Sequence, residues 1–315
     1  MANNHEQFKA FHDAIKATST RRKTLKKNRD ALRDKIKKYF KDNHSDYIQP
    51  TFYWQGSYAM HTLLNPIKDE NGLGAFDLDD GVYFESDDIN DRKSIDWYHQ
   101  EVYEAVKDHT ENGADDIDPC VRVQYADGHH IDLAIYFLHT TEDKTMLAHR
   151  LEPWHESNPD EMIAWFSDEC KSKTKFRELV RFMKAWCEYK RSEGIKMPSG
   201  CIMSMLTSEY YQWNDENRYD IAMRDILKNM YDNLSKEGHF HCWRPVEPGE
   251  DFLKELKSFK EDAEMAIASK NQHDGCVRRQ KHFGDRFSCS TAKDVDEDAS
   301  QQRLSGTINK NSQYA

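Results

Sequence analysis

The chain has 315 residues, with 56 Asp and Glu against 45 Lys and Arg and a net charge of −11. Its length accommodates one large or two closely packed domains, and an aromatic content of 12% excludes wholesale disorder despite a mean hydropathy of −0.95. The acidic balance argues against a protein that coats long DNA or RNA, because that binding needs clustered Lys and Arg facing the phosphates.

No stretch reaches the roughly 18 apolar residues of a membrane span, and the longest apolar run, residues 131–138, is interrupted by Asp132. The first residues are polar and lack the apolar segment of a secretion signal. Seven scattered cysteines, never spaced C-x-x-C, predict reduced thiols in a cytoplasmic protein rather than a disulfide framework.

From Glu6 to Asn43 there is no Gly or Pro, and apolar residues recur at helical spacing, which predicts one or two long helices. Eleven of the 45 basic residues fall between Arg21 and Lys41. They suit either a nucleotide or RNA surface or, as charge runs usually do, a solvated helix face. Residues 51–55 read as a strand ending at Gly56-Ser57, followed by a short helix to Leu64 and a loop over 65–74. Further strands are predicted at 75–84, 121–126 and 129–138, the last two joined by Asp127-Gly128, with a helix at 94–108 between them. Beyond Pro159 helices dominate, at 173–191, 199–213, 219–234 and 249–269. The stretch 288–315, rich in Ser, Gln, Asn and Asp, is expected to be a disordered tail. The resulting division is a helical brace over 1–50, a mixed-sheet core over 51–158, a helical domain over 159–287 and the tail.

The segment Phe76-Asp77-Leu78-Asp79-Asp80-Gly81 carries the most chemical information. Side chains alternate along a strand, so Asp77 and Asp79 share a face and Asp80 points away. Two carboxylates at that spacing repel unless a cation lies between them, and hard oxygen ligands suit Mg2+ or Mn2+. Asp132 sits in an otherwise apolar strand and needs a partner, which a shared metal, an Arg or a backbone N–H would supply. Upstream, Gly56 permits close backbone approach to a phosphate, and Ser57 with neighbouring N–H groups can bind its oxygens. A phosphate cradle beside three carboxylates is suited to two-metal nucleotidyl transfer.

Gln55-Gly56-Ser57, Asp77-Leu78-Asp79-Asp80-Gly81 and His130-Ile131-Asp132 resemble the motifs of the polymerase-β-like nucleotidyltransferase superfamily. More narrowly, they resemble the bacterial cGAS/DncV-like nucleotidyltransferases of anti-phage signalling, over about Thr51 to Phe287. The resemblance implies an α+β fold, with a nucleotidyltransferase core packed against a C-terminal helical domain and a long N-terminal helix bracing both. It implies two Mg2+ or Mn2+ ions on Asp77, Asp79 and Asp132, and nucleotide contacts from Gln55, Gly56, Ser57, Lys184 and Ser199. By themselves Lys184 would be an exposed lysine and Ser199 a helix N-cap. Residues His282 to Phe287 resemble the family's closing G-x-R-F segment, with Ser288 where a proline is expected.

The implied activity joins ATP and other NTPs into a cyclic di- or trinucleotide, with pyrophosphate release. Implied partners are accessory proteins of CBASS-type defence, including a conjugating enzyme acting on Ala315; neither a membrane nor a long nucleic acid is expected. The alternatives are a superfamily enzyme acting on RNA ends or protein hydroxyls, and an inactive nucleotide-binding regulator. Tyr58, Tyr83 and Tyr136 suit either base stacking or core packing. His239, His241, Cys242, His273, Cys276, His282 and Cys289 enrich the C-terminal quarter without a compact zinc spacing.

Overall fold

The structure, a computed structural model, describes residues 1–68, 74–237, 240–241, 245–246 and 249–292. In chain order the elements are α1 (His5–Ile15), α2 (Ser19–Asn43), β1 (Thr51–Trp54), α3 (Gly56–Ala59), β2 (Phe76–Ser86) and α4 (Ile95–Val106). There follow β3 (Ala114–Ile117), β4 (Cys120–Gln124), β5 (His129–His139), β6 (Lys144–Leu147), β7 (His155–Glu156) and α5 (Pro159–Ser172). The remainder comprises α6 (Phe176–Ser192), α7 (Gly200–Glu209), α8 (Tyr219–Glu237), β8 (Phe240–His241), β9 (Pro245–Val246), α9 (Glu250–Ala268) and α10 (Gln272–Phe283). These elements form two compact units, residues 16–172 and residues 1–15 with 173–315.

The expected N-terminal brace is therefore two helices, and each belongs to a different unit. The break lies at residues 16–18, where Lys16 forms a β-bridge with Leu64 and the Thr18 side chain caps α2 by accepting from Arg21 N at 3.2 Å. The boundary between units also falls after α5 rather than before it.

In the first unit the strands run in the order β1-β2-β5-β4-β3. The sheet is mixed: β2 and β5 are parallel over their whole length, whereas β1 pairs antiparallel with β2, and β4 and β6 pair antiparallel with successive halves of β5. Alternation puts Leu78, Val82 and Phe84 on one face of β2. Together with Ile131, Leu133, Ile135 and Phe137 they join Leu25, Leu32, Ile36 and Phe40 of α2 and Tyr98, Val102 and Val106 of α4 in one core. Each such side chain contributes roughly 1.5–3 kcal/mol on burial.

Asp80 shares that apolar face and is fully buried, so it needs a counter-charge. Arg33 of α2 supplies it as a fork, with Nε 2.7 Å from Oδ2 and Nη2 on Oδ1. Burial pushes the Asp80 carboxyl up, and the Arg33 fork opposes that shift.

The basic run of α2 finds a use that neither sequence reading anticipated. The Arg22 guanidinium lies 4.0 Å over the Tyr58 ring, Arg29 lies 4.3 Å over Trp54, and Arg33 and Lys37 lie over Phe52. One row of the charges is thus stacked on the aromatic residues of β1 and α3, while Lys23, Lys27, Lys38 and Lys41 remain exposed.

Among its described residues the second unit is helical apart from the paired strands β8 and β9. Phe8 and Phe11 of α1 pack against Phe182, Phe283 and Phe287, with ring centroids 4.6–5.9 Å apart. The closing His282 to Phe287 segment is thus a core element, and α10, whose last two residues open it, was not among the helices expected from the sequence. A short turn at Gly284–Arg286 reverses the chain and returns Cys289 to Cys276, with Cα atoms 5.7 Å apart, and the two form a disulfide. This corrects the expectation of reduced thiols throughout and removes both residues as zinc ligands. Cys120, Cys170, Cys187 and Cys201 keep reduced thiols. His239, Cys242 and residues 293–315, including Ala315, lie outside the described residues. Residues 288–292, expected to belong to the tail, are instead packed against the protein: Cys289 and Ala292 are buried, and Thr291 Oγ1 accepts from Gln7 Nε2.

Candidate active site

The acids predicted to act together occupy the face of the sheet opposite α2 and α4. The parallel register sets Asp77 beside His130 and Asp79 beside Asp132, and adjacent strands run roughly 4.8 Å apart. Asp77 is exposed, and Asp79 and Asp132 are half-buried.

Gly56 has φ +58°, and a Cβ there would fall 1.8 Å from Asp79 Oδ2. The turn after β1 therefore brings bare backbone directly against the second acid of the D-x-D pair, where any side chain would collide. The next residue, Ser57, has a buried Oγ with no hydrogen-bond partner. A buried hydroxyl normally finds a partner within the protein. The orphan Oγ in the turn that abuts Asp79 is consistent with a polar ligand at this turn.

Two expectations about this turn change. The helix predicted to continue to Leu64 stops at Ala59, because His61 adopts a left-handed backbone (φ 57°) and the chain turns back to bridge Lys16. Gln55 turns its amide into the protein interior: it is 4% exposed, donates from Nε2 to Tyr83 Oη at 2.9 Å and accepts from Tyr136 Oη at 3.3 Å. Gly81 makes room for this amide, since a Cβ there would lie 2.3 Å from Gln55 Nε2. Tyr83 and Tyr136 stack on each other with centroids 4.7 Å apart, and burial is the main cause pushing both phenols up. The three tyrosines are core residues, Tyr58 being buried beneath the Arg22 guanidinium.

Asp132 is paired with a residue that the sequence reading passed over. Arg122 of β4 donates from Nε to Oδ1 at 2.8 Å and from Nη2 to Oδ2 at 2.7 Å, and His130 Nε2 lies 3.9 Å from Oδ2. The pairing depends on the hairpin register. A two-residue Asp127-Gly128 turn would place Arg122 opposite Leu133, but Tyr125 N donates to His129 O, so the turn holds three residues and Arg122 faces Asp132. Cys120, in the same strand, is no nucleophile: burial, and then the Asp132 charge, push its thiol well up.

Among the described residues no three His, Cys, Asp or Glu side chains already converge as a metal cage, in keeping with the Arg122 fork on both Asp132 oxygens. The donor set still fits a divalent ion: all three acids are hard oxygen ligands on one sheet face, and Asp79 abuts the Gly56-Ser57 turn.

Lys184 and Ser199 belong to the helical unit. Ser199 caps α7, its side chain accepting from Ile202 N at 3.3 Å. A Cβ on Gly200 would fall 2.9 Å from Lys184 Cε, so the lysine stem lies over the first turn of α7. The structure thus brings these two residues together at one helix N-terminus.

With this geometry in place, residues 50–136 match the family described as cyclic GMP-AMP synthase DncV-like, nucleotidyltransferase domain. That segment is thus similar to a DncV-like nucleotidyltransferase domain. A cyclic GMP-AMP synthase from Escherichia albertii is 27% identical over 172 residues, 50% of this chain and 37% of that relative; the match therefore spans little more than a third of the relative's length. Beyond that segment, the fold resembles Vibrio cholerae DncV cyclic AMP-GMP synthase in complex with nonhydrolyzable GTP. That match has a TM-score of 0.78 at 19% identity and covers 91% of this chain and 97% of that one. The same enzyme with the linear intermediate 5′-pppA(3′,5′)pG gives 0.75 at 18% identity, covering 91% and 96%. The α+β nucleotidyltransferase architecture implied by the DncV-like motifs is thus the fold observed.

Proposed function

We propose that the chain is a cyclic oligonucleotide synthase. An acceptor hydroxyl bonds to the α-phosphorus of a donor NTP, the bond to the departing pyrophosphate breaks, and a second such step closes a cyclic di- or trinucleotide. The observation that carries this reading is the tight turn at Gly56-Ser57, whose backbone abuts Asp79 and whose buried serine hydroxyl lacks a partner. Asp77, Asp79 and Asp132 would hold two Mg2+ or Mn2+ ions, which when bound neutralise phosphate charge and lower the pKa of the attacking hydroxyl.

Within the chain itself, Ser57 donates to a phosphate oxygen. Asp79 is held in place by the β2–β5 register, and Gln55 steadies the turn from beneath through Tyr83 and Tyr136. Lys184 and the α7 N-terminus around Ser199 form a local anion-binding corner suited to phosphate. The acidic net charge favours small nucleotides over a long nucleic acid. No helix among the described residues is long and apolar enough to cross a membrane. The reading places the enzyme in the cytoplasm, in CBASS-type anti-phage signalling, with Ala315 a candidate for conjugation by an accessory enzyme.

Incubation of the purified chain with each combination of labelled NTPs and Mg2+ or Mn2+ tests the proposal. Phosphatase-resistant cyclic species are expected, and they should vanish in Asp77→Asn and Asp79→Asn. Activity retained in both variants would sink it.

A further inference from the structure

We infer that Arg122 is the resting counter-ion of Asp132 and competes with the divalent cation for that carboxylate; this rests on the reading of Asp77, Asp79 and Asp132 as an ion site. Asp132 lies beside Asp79 across the parallel strands, and two neighbouring carboxylates with restricted solvent access raise each other's energy unless a cation intervenes. In the chain alone that cation is Arg122, forked onto both Asp132 oxygens at 2.7 and 2.8 Å.

The sheet offers an internal comparison. Asp80, on the opposite face, is also forked by an arginine, but Asp80 is fully buried and its Arg33 side chain is 14% exposed. That pair is shut inside the core between α2 and β2. The Asp132 and Arg122 side chains are 14% and 35% exposed, so the guanidinium can swing into solvent without crossing protein and without leaving a fully buried charge behind. The two forks therefore differ in kind: Arg33 is a fixed structural partner, and Arg122 is a displaceable one. The guanidinium takes one acceptor site on each Asp132 oxygen and sets a positive charge against any incoming divalent ion, so the fork lowers apparent ion affinity. It also holds the Asp132 side chain on strand β5, in the rotamer it presents to the site.

The test uses the full chain and Mn2+ alone, with free Mn2+ read by its paramagnetic resonance spectrum, and thermal melting in EDTA. Arg122→Gln is expected to bind Mn2+ roughly five- to tenfold more tightly, the scale of losing one partly exposed fork, and to melt lower than the wild type when ion-free. Arg122→Lys, which keeps charge without the fork, should fall between the two and serves as the working variant if the glutamine form does not fold. Unchanged or weaker Mn2+ binding in a folded Arg122 variant overturns the inference, because the fork and the ion would then be compatible. Failure of the underlying site is distinguishable: the wild type would bind no Mn2+ saturably, or Asp77→Asn and Asp79→Asn would leave binding intact, and the inference would fall with it.

Discussion

Gly56→Ala separates the proposed chemistry from mere stability. Gly56 has φ +58°, so an alanine there incurs roughly 1–2 kcal/mol of left-handed backbone strain. For units of this size that lowers the melting temperature by roughly 2–8 °C. The larger effect is steric: the new Cβ would start 1.8 Å from Asp79 Oδ2, and the carboxylate would have to retreat by more than 1 Å merely to reach 3.0 Å. A displacement of about 1 Å in a reacting geometry costs on the order of 100-fold in rate. Gly194→Ala is the matched control: its φ is +83°, and nothing lies within 4 Å of its added Cβ. Both variants should melt a few degrees lower. Only Gly56→Ala should lose product formation, by about two orders of magnitude in a pyrophosphate-release assay with NTPs and Mg2+. Near-full activity in Gly56→Ala, or an equal loss in Gly194→Ala, would refute the placement of this turn against the reacting groups.

Two further outcomes follow from the helical unit. His282 donates from Nε2 to Asp262 at 3.1 Å, stacks on Phe259, and buries an Nδ1 that has no partner. Burial is the main cause lowering its pKa to about 4, against the partial opposition of Asp262. An unfolded histidine with an ordinary pKa near 6.5 takes up a proton first as the pH falls, so this residue's linkage lowers stability progressively from about pH 6.5 down to about pH 4. The loss is about 2 kcal/mol between pH 7.5 and 5. Urea titrations at the two pH values should show His282→Gln losing correspondingly less than the wild type, and identical losses would contradict the assignment. The Cys276–Cys289 bridge closes a loop with a sequence separation of 13, worth about 3 kcal/mol by chain entropy. Cys276→Ser should therefore match reduced wild type in melting temperature and fall below oxidised wild type; a non-reducing peptide map lacking the cross-linked pair would remove the basis for this.

Much of the site was legible because it depends on local rules. The period of two along β2 sorts Asp77 and Asp79 from Asp80, the apolar run of β5 singles out Asp132, and Gly56-Ser57 marks a strand end. The short elements β3, β6 and β7 were missed because four or fewer residues carry too little periodicity. The Arg122 pairing was missed because one extra turn residue shifts every cross-strand partner, and the Arg33 fork because its partner lies 47 residues away.

The sequence alone singled out the candidate residues for phosphate and cations, since residue type and alternation are properties of the chain read locally. Tertiary structure decided which of them meet. The parallel register of β2 and β5 sets Asp79 beside Asp132. The core face demands Arg33 for Asp80, the hairpin hands Asp132 to Arg122, and the turn after α10 closes the disulfide. Those choices depend on contacts between residues far apart in the chain, where loop length and the packing of whole elements outweigh any local preference.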